Sequence, residues 1–212
     1  MMDIDTIIWD WNGTLLDDAE TCIATINVLL GNRNLPLLDK EKYLEIFGFP
    51  VKDYYEHIGF DFKKEPFEIP AHQFIDGYTS AVMQASLHEN VQELLGWFDK
   101  RNYKQFVLSA SEQNSLDKLL QHFNIRSYFE AVAGLNNHYA TSKEEIGIQL
   151  LKENHILPAK ACLIGDTIHD FEVAEAMGCQ CILIANGHQN YKRLKETGTT
   201  VLNKLQELEH IF

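Results

Sequence analysis

Apolar residues along this chain follow two alternating patterns. Short continuous apolar runs fall at Thr6-Ile7-Ile8-Trp9, Phe106-Val107-Leu108, Ala161-Cys162-Leu163-Ile164 and Cys181-Ile182-Leu183-Ile184-Ala185. A run without polar alternation marks a strand covered on both faces. Tyr128 to Ala133 reads as a further strand, and Thr199 to Leu202 as a short one. Between the runs, apolar residues return every three or four positions: Leu94, Leu95 and Phe98; Leu116, Leu119, Leu120 and Phe123; Ile146, Leu150 and Leu151. That spacing predicts helices with one apolar face. The alternation as a whole predicts an α/β fold, a parallel sheet with helices on both sides.

One interval breaks the rhythm. Between the first strand, ending near Trp11, and the second, beginning near Lys104, lie roughly ninety residues, where a crossover needs only about a dozen. Leu16, Ala19, Ile23, Ile26 and Leu30 recur at helical spacing, and later helical stretches are broken at Pro36, Gly48, Pro50, Gly59, Pro66 and Pro70. Residues 17–85 are therefore expected to form an inserted all-helical unit, with residues 1–16 and 86–212 making up the sheet domain.

Charge narrows the range of partners. The chain carries 31 acidic against 18 basic residues, a formal net charge of −13, and no basic stripe. No nucleic-acid partner is expected of such a surface. No run of 18 apolar residues exists, and the start Met1-Met2-Asp3-Ile4-Asp5 lacks the pattern of a secretory signal. The expectation is a soluble cytoplasmic protein without a membrane partner. The four cysteines, Cys22, Cys162, Cys179 and Cys181, form no Cys-x-x-Cys pair and read as reduced thiols. Nothing in the pattern points to a particular oligomeric state.

In a parallel sheet, ligands bind beyond the carboxyl ends of the strands. The first strand delivers Asp10, in Asp10-Trp11-Asn12-Gly13-Thr14. The second delivers Ser109, in Ser109-Ala110-Ser111, and the run at 161–164 delivers Asp166, in Gly165-Asp166-Thr167-Ile168-His169-Asp170. Lys143 opens a helix whose start, Ser142-Lys143-Glu144-Glu145, reads as a capping box. A cation in a first helical turn opposes the helix dipole at a cost of ~0.3–1 kcal/mol, an objection that a neighbouring phosphate removes. Together the set suits phosphoryl transfer. Asp10 can attack phosphorus, Asp10 and Asp166 can share a hard cation, Gly13 can let backbone N–H groups approach phosphate, Ser109 can donate to it, and Lys143 can neutralise the assembled charge.

These motifs, in this order along nearly the whole chain, resemble those of haloacid dehalogenase-like hydrolases. The insertion after the first strand and the Ser109-Ala110-Ser111 stretch are similar to the branch of phosphoglycolate phosphatase and beta-phosphoglucomutase. The resemblance implies a Rossmann-like core with a helical cap and hydrolysis of a small phosphorylated metabolite through an aspartyl phosphate. It also implies Mg²⁺ held by Asp10, the Asn12 carbonyl, Asp166 and Asp170, and phosphate held by Gly13, Ser109, Ala110 and Lys143.

The chain departs from that pattern at Asn12, where most relatives carry an aspartate that protonates the leaving group and then activates water. An amide does neither, and losing such a group typically costs about 10²–10⁴ in rate. Three readings stay open: a phosphatase with weakened turnover or another proton donor, a carbon–phosphorus hydrolase resembling phosphonoacetaldehyde hydrolase with Lys52 as its Schiff-base lysine, and a phosphate-binding protein with little turnover. Other residues have plainer readings. Asp17 and Asp18 suit a helix start, Ser111 suits a helix cap, and the scattered histidines, His88, His138 and His188 among them, suit solvent. Trp11 is a candidate for shaping the cavity, and Tyr54 and Tyr55 for lining the cap or forming its core.

Overall fold

The computed structural model describes residues 3–135 and 142–212. Met1, Met2 and His138 lie outside the described residues. The chain runs through β1 (Thr6–Trp9), β2 (Leu16–Asp17), α1 (Ala19–Asn32), α2 (Lys40–Ile46), α3 (Val51–His57), α4 (Glu68–Ala81), β3 (Ser86–Leu87), α5 (Val91–Asp99) and β4 (Lys104–Glu112). It continues through α6 (Gln113–His122), β5 (Ala131–Leu135), α7 (Lys143–Glu153), β6 (Ala161–Gly165), α8 (Ile168–Met177), β7 (Gln180–Ile184), α9 (Tyr191–Lys195) and β8 (Thr200–Leu202).

Six strands form one parallel sheet in the order β5-β4-β1-β6-β7-β8. This is the α/β Rossmann-like architecture. The central β1 lies between β4 and β6: the chain lays β4 and β5 outward on one side of it, then crosses over to build β6, β7 and β8 on the other. That reversal opens a crevice at the carboxyl ends of β1, β4 and β6. Alternation along the strands splits the core. Ile7, Trp9, Val107, Cys162 and Ile164 face one layer with Leu94, Phe98, Leu116 and Leu120. Ile8, Phe106, Leu108 and Leu163 face the other with Ile146, Leu150, Val173 and Met177. Trp9 meets Phe98 edge-on at 5.5 Å, and its indole N–H donates to Gln105 at 3.1 Å, so even this buried polar group is satisfied.

Two strand expectations shift. β4 runs on to Glu112, with a register irregularity between Leu108 and Glu112, so Ser109 lies inside the strand rather than beyond it. Tyr128 to Ala133 is a strand only from Ala131; Arg126–Tyr128 is a 3-10 turn, and pairing begins where the Glu130 N–H meets the Gln105 carbonyl at 2.8 Å. The aromatic residues there suit a strand but are used to pack the turn; Phe129 is buried in the core. Trp11, the candidate for shaping the cavity, is fully buried in the core beside Phe123.

Helices α1–α4 are carried on a two-stranded antiparallel ribbon, with Leu16 opposite Leu87 and Asp17 opposite Ser86. They have an apolar centre of their own, including Ile26, Leu30, Tyr43, Tyr54 and Tyr55. The loop after β7 and the start of α9 grip backbone carbonyls of this helical segment. Arg193 Nη1 donates to the Phe47 carbonyl at 2.6 Å and the Leu44 carbonyl at 3.3 Å, and Gln189 Nε2 donates to the Phe47 carbonyl at 3.0 Å. Among the described residues, no helix is long and apolar enough to cross a membrane, and the four cysteines are free.

These grips generate a prediction. The paired change Arg193→Ala and Gln189→Ala removes two side-chain donors and the three hydrogen bonds they make to two carbonyls, at about 1 kcal/mol per bond. Amide hydrogen exchange around residues 44–50 should accelerate in the variant while the sheet keeps its protection. Unchanged exchange in that loop would show that the grips do not hold the segment in place.

Candidate active site

The crevice gathers side chains from five separate places in the sequence. Asp10 follows β1, whose pairing continues through its N–H to the Ile164 carbonyl at 2.8 Å. Asp166 follows β6. Lys143 stands in the first turn of α7, where Ser142 Oγ accepts the Glu145 N–H at 3.2 Å as the cap. Its ammonium donates to both Asp10 and Asp170 and is buried with them. Asp170 does two things at once. One oxygen meets Lys143; the other accepts from Thr167 Oγ1 at 2.7 Å and from the N–H groups of Thr167 and Asp166 at 3.0 and 3.2 Å, closing the capping box of α8. Thr14 Oγ1 joins Asp166 at 2.9 Å and Asp10 at 3.2 Å. Ser109 is buried and Ala110 borders the same cavity.

Electrostatics divides these carboxylates. Burial pushes the Asp10 carboxyl up; Lys143 pulls it back only in part, because Asp170 repels it. Burial also pushes Asp166 up, and Asp10 and Asp170 add to that against the pull of His188. Asp170 goes the other way. Burial opposes its charge, but Lys143 and the Thr167 donors outweigh it and hold the group low. Oxygens of Asp10, Asp166 and Asp170 lie within 4.8 Å of one another. All three ligand types are hard oxygens, and the two groups that burial and repulsion disfavour most are those a cation would relieve. The donor set thus fits a hard divalent ion. Asp18, Cys22 and His188 are equally close-set, but Asp18 and His188 already pair with each other at 3.2 Å.

Behind Asp10 lies a second network centred on Asp18. Its buried carboxylate accepts from Gly13 N–H at 2.8 Å, Asn12 Nδ2 at 2.8 Å, the Tyr78 hydroxyl at 2.6 Å and His188 Nε2 at 3.2 Å. Burial opposes ionisation of Asp18, yet His188 and these donors hold it below the usual carboxylate range. His188 gains in return: despite burial, Asp18 and then Asp166 raise it to about 9. Its backbone N–H also donates to Asp166 at 2.6 Å, and its Nδ1 meets the Tyr43 hydroxyl at 2.9 Å. Asn12 Oδ1 accepts the Ser111 hydroxyl at 2.7 Å.

Several sequence expectations change here. Gly13 has φ of +76°, and any Cβ on it would strike Asp166 and His188, so glycine is required by conformation and by close packing. Its N–H, however, is used by Asp18, and its carbonyl is bound by His88 at 2.9 Å, which removes Gly13 from the groups free to meet phosphate. Ser111 does not cap α6; Glu112 does, accepting from the Asn114 and Ser115 N–H groups. Asp18 precedes α1 without capping it, because its carboxylate turns inward. His188 is buried rather than solvated. Lys52 stays outside the crevice, its ammonium 5.8 Å from the centre of the Phe62 ring. Tyr54 and Tyr55 serve both roles open to them: they border the cavity and belong to the helical segment's core.

The crevice opens into a cavity of about 210 Å³ between the sheet and the helical segment. Its floor is formed by the polar groups above. Its walls are apolar and largely aromatic, with Phe47, Phe49, Tyr54, Phe74 and Tyr78 prominent.

Comparison with known proteins agrees with this architecture. Residues 7–184 match the family of haloacid dehalogenase-like hydrolases. A phosphoglycolate phosphatase of Nitrosococcus oceani is 23% identical, over 98% of this chain and 96% of its own length. A protein of Mycobacterium tuberculosis named tyrosine-protein kinase PtkA is also 23% identical, over 97% of this chain and 70% of its own. The solved structure of a haloacid dehalogenase-like family hydrolase from Streptococcus pneumoniae superimposes with a TM-score of 0.86 at 20% identity, covering 100% of both chains.

The Asp18 network carries a prediction. Asp18→Ala leaves the donors around its carboxylate without their acceptor, the buried and raised His188 among them. The variant should lose about 3–5 kcal/mol of unfolding free energy, the usual range for stranding one member of a buried charged pair. Chemical denaturation of the two proteins measures the difference. A loss within about 1 kcal/mol would mean that the network does not hold the Asn12-Gly13 loop.

Proposed function

The chain belongs to the haloacid dehalogenase-like hydrolases, on the phosphoglycolate phosphatase-like branch, and from that premise we propose that it hydrolyses small phosphate monoesters through an aspartyl phosphate on Asp10. The observation that carries this reading is the Lys143 ammonium bridging Asp10 and Asp170, with Asp166 within a cation's span, at the sheet's switch point.

In this mechanism a carboxylate oxygen of Asp10 attacks phosphorus and the ester P–O bond breaks. Lys143 neutralises the anionic oxygens gathered at that point, while it holds Asp10 in position from its other side. The Ser109 hydroxyl and the backbone around Ala110 bind phosphate oxygens. Asp10, the Asn12 carbonyl, Asp166 and Asp170 would hold Mg²⁺. That ion, when bound, supplies the positive charge that lets carboxylates and phosphate approach one another. Water then attacks the aspartyl phosphate, and the Asp10 carboxylate is regenerated. Asn12 neither gives nor takes a proton in these steps. The helical segment, residues 17–85, serves as a cap that covers the site and selects the ester.

The test is phosphate release from a panel of monoesters by wild type, Asp10→Ala and Asn12→Asp, with phosphonoacetaldehyde included. Release should depend on Mg²⁺, vanish on chelation and fall by about three orders of magnitude or more in Asp10→Ala. Phosphate binding without turnover in wild type and Asn12→Asp alike would replace this reading with that of a binding protein. Borohydride trapping of phosphonoacetaldehyde on Lys52 would replace it with carbon–phosphorus cleavage.

A further inference from the structure

Resting on the phosphatase reading above, we propose that the esters this site turns over best are those of phenol- or enol-type alcohols with an uncharged, apolar body, in preference to esters of anionic aliphatic alcohols such as phosphoglycolate. Two independent features lead there, one in the floor of the cavity and one in its walls.

Among the described residues, the floor lacks a side chain free to protonate the leaving group. Asn12 has its amide nitrogen on Asp18 and Tyr78 and its oxygen on Ser111, so it is fixed as an amide on three sides. The Asp18 carboxylate is already taken up by Gly13, Asn12, Tyr78, Cys22 and His188. His188 has both ring nitrogens engaged, on Asp18 and on the Tyr43 hydroxyl. The Lys143 ammonium is held between two carboxylates. His169 borders the cavity from α8, where its ring lies 4.7 Å from that of Phe49 and Nδ1 meets Glu172 at 3.4 Å. An aliphatic alkoxide, close to hydroxide in basicity, leaves poorly without protonation. A phenolate, with the tyrosine-like value of about 10, leaves unaided.

Among the described residues, the walls lack an unpaired cation for a second anion. Among the described residues bordering the cavity, the cationic groups are Lys143, bound to Asp10 and Asp170, and His188, paired with Asp18, and they stand against four carboxylates, those of Asp10, Asp18, Asp166 and Asp170. A glycolate carboxylate would enter a site already rich in negative charge. An aromatic ring would meet Phe47, Phe49 and Phe74 instead. The volume of about 210 Å³ compares with about 150 Å³ for an apolar cavity that takes up benzene, which leaves room for one ring beside the phosphate. The Tyr54 hydroxyl, buried on this wall, has no hydrogen-bond partner among the described residues.

The chemistry balances without a further reactant. An Asp10 oxygen bonds to phosphorus, the P–O(aryl) bond breaks, and its electron pair leaves on the phenolate, which takes a proton from solvent. Water then bonds to phosphorus, the acyl phosphate bond breaks, and phosphate departs with the proton released to solvent.

The experiment uses the full chain with Mg²⁺ and measures kcat/KM for phenyl phosphate, benzyl phosphate and phosphoglycolate. Phenyl and benzyl esters share an apolar ring but differ in leaving group. Phenyl phosphate should exceed benzyl phosphate by about 10²–10⁴, the usual contribution of a general acid, and should exceed phosphoglycolate as well. Asn12→Asp should raise benzyl turnover and narrow the first gap. Phe74→Lys, which places a cation on the wall, should shift preference toward phosphoglycolate by up to about fivefold, the usual range for one newly made ion pair. Equal turnover of phenyl and benzyl esters, or benzyl turnover lost in His169→Asn, would overturn the proposal and point to a proton donor in place. Phosphoglycolate as the best substrate would overturn it too, while leaving the phosphatase reading intact. Absence of Mg²⁺-dependent turnover of all three esters would sink that reading itself.

Discussion

The site depends on one ammonium held between carboxylates. Asp10, Asp166 and Asp170 are buried together, and three like charges so close would drive one another to protonate. Lys143 makes the arrangement possible, but a single positive charge offsets only one of the three. Its contacts fall on Asp10 and Asp170, which leaves Asp166 to rely on Thr14 and the His188 N–H. The imbalance is what suits the crevice to a cation under the proposed mechanism: further positive charge would be needed before a phosphate dianion could enter. Folding and ligand binding thus use the same charge deficit, and the helix start under Lys143 is tolerated for the same reason.

The second constraint is the identity of residue 12. With Asn12 Nδ2 at 2.8 Å from the Asp18 carboxylate, an aspartate at that position would set two carboxylates in contact. The amide instead extends the donor set around Asp18 and ties it to β4 through Ser111. A neutral residue at position 12 is therefore built into its surroundings, and the missing acid is a consequence of local hydrogen bonding as much as of chemistry. Asp18 and Asn12 form one unit, and neither can be reasoned about alone.

What could be read from the sequence was whatever strand ends dictate. Asp10, Asp166 and Ser109 follow or end apolar runs, and Lys143 follows a recognisable cap; a parallel sheet brings such positions to one rim. Asp18, His188, Tyr43 and Tyr78 carry no such signal. Asp18 reads as a helix-start residue because acidic groups are common there, and only the tertiary fold turns its carboxylate inward. His188 lies in a loop of Gly, Asn and Gln that reads as exposed, yet the helical segment closes over it. Lys52 stood at a suggestive distance from Asp10 along the chain, but its ammonium lies on Phe62. The Gly13 N–H was open to phosphate by motif and is engaged by Asp18 in space. Pairings between residues far apart in sequence decided each of these cases, and local pattern has no access to them.

The cavity wall and the interior of the helical segment are in part the same residues. Tyr54 and Tyr55 border the cavity while they pack beside Ile26 and Phe60. Changing the wall at those two positions therefore disturbs the segment's own packing. Phe47, Phe49 and Phe74 are less committed; they are only partly buried or exposed. The grip of Arg193 and Gln189 falls on the backbone carbonyls of Leu44 and Phe47, not on side chains. The loop is thus held in place by groups that every residue type provides, and the Phe47 side chain is left to face the cavity. This division separates closure from selection: the wall at 47, 49 and 74 can be altered without removing the contacts that close the site. Specificity in this chain is accordingly expected to reside in those three side chains, with Tyr54 and Tyr55 as their fixed support.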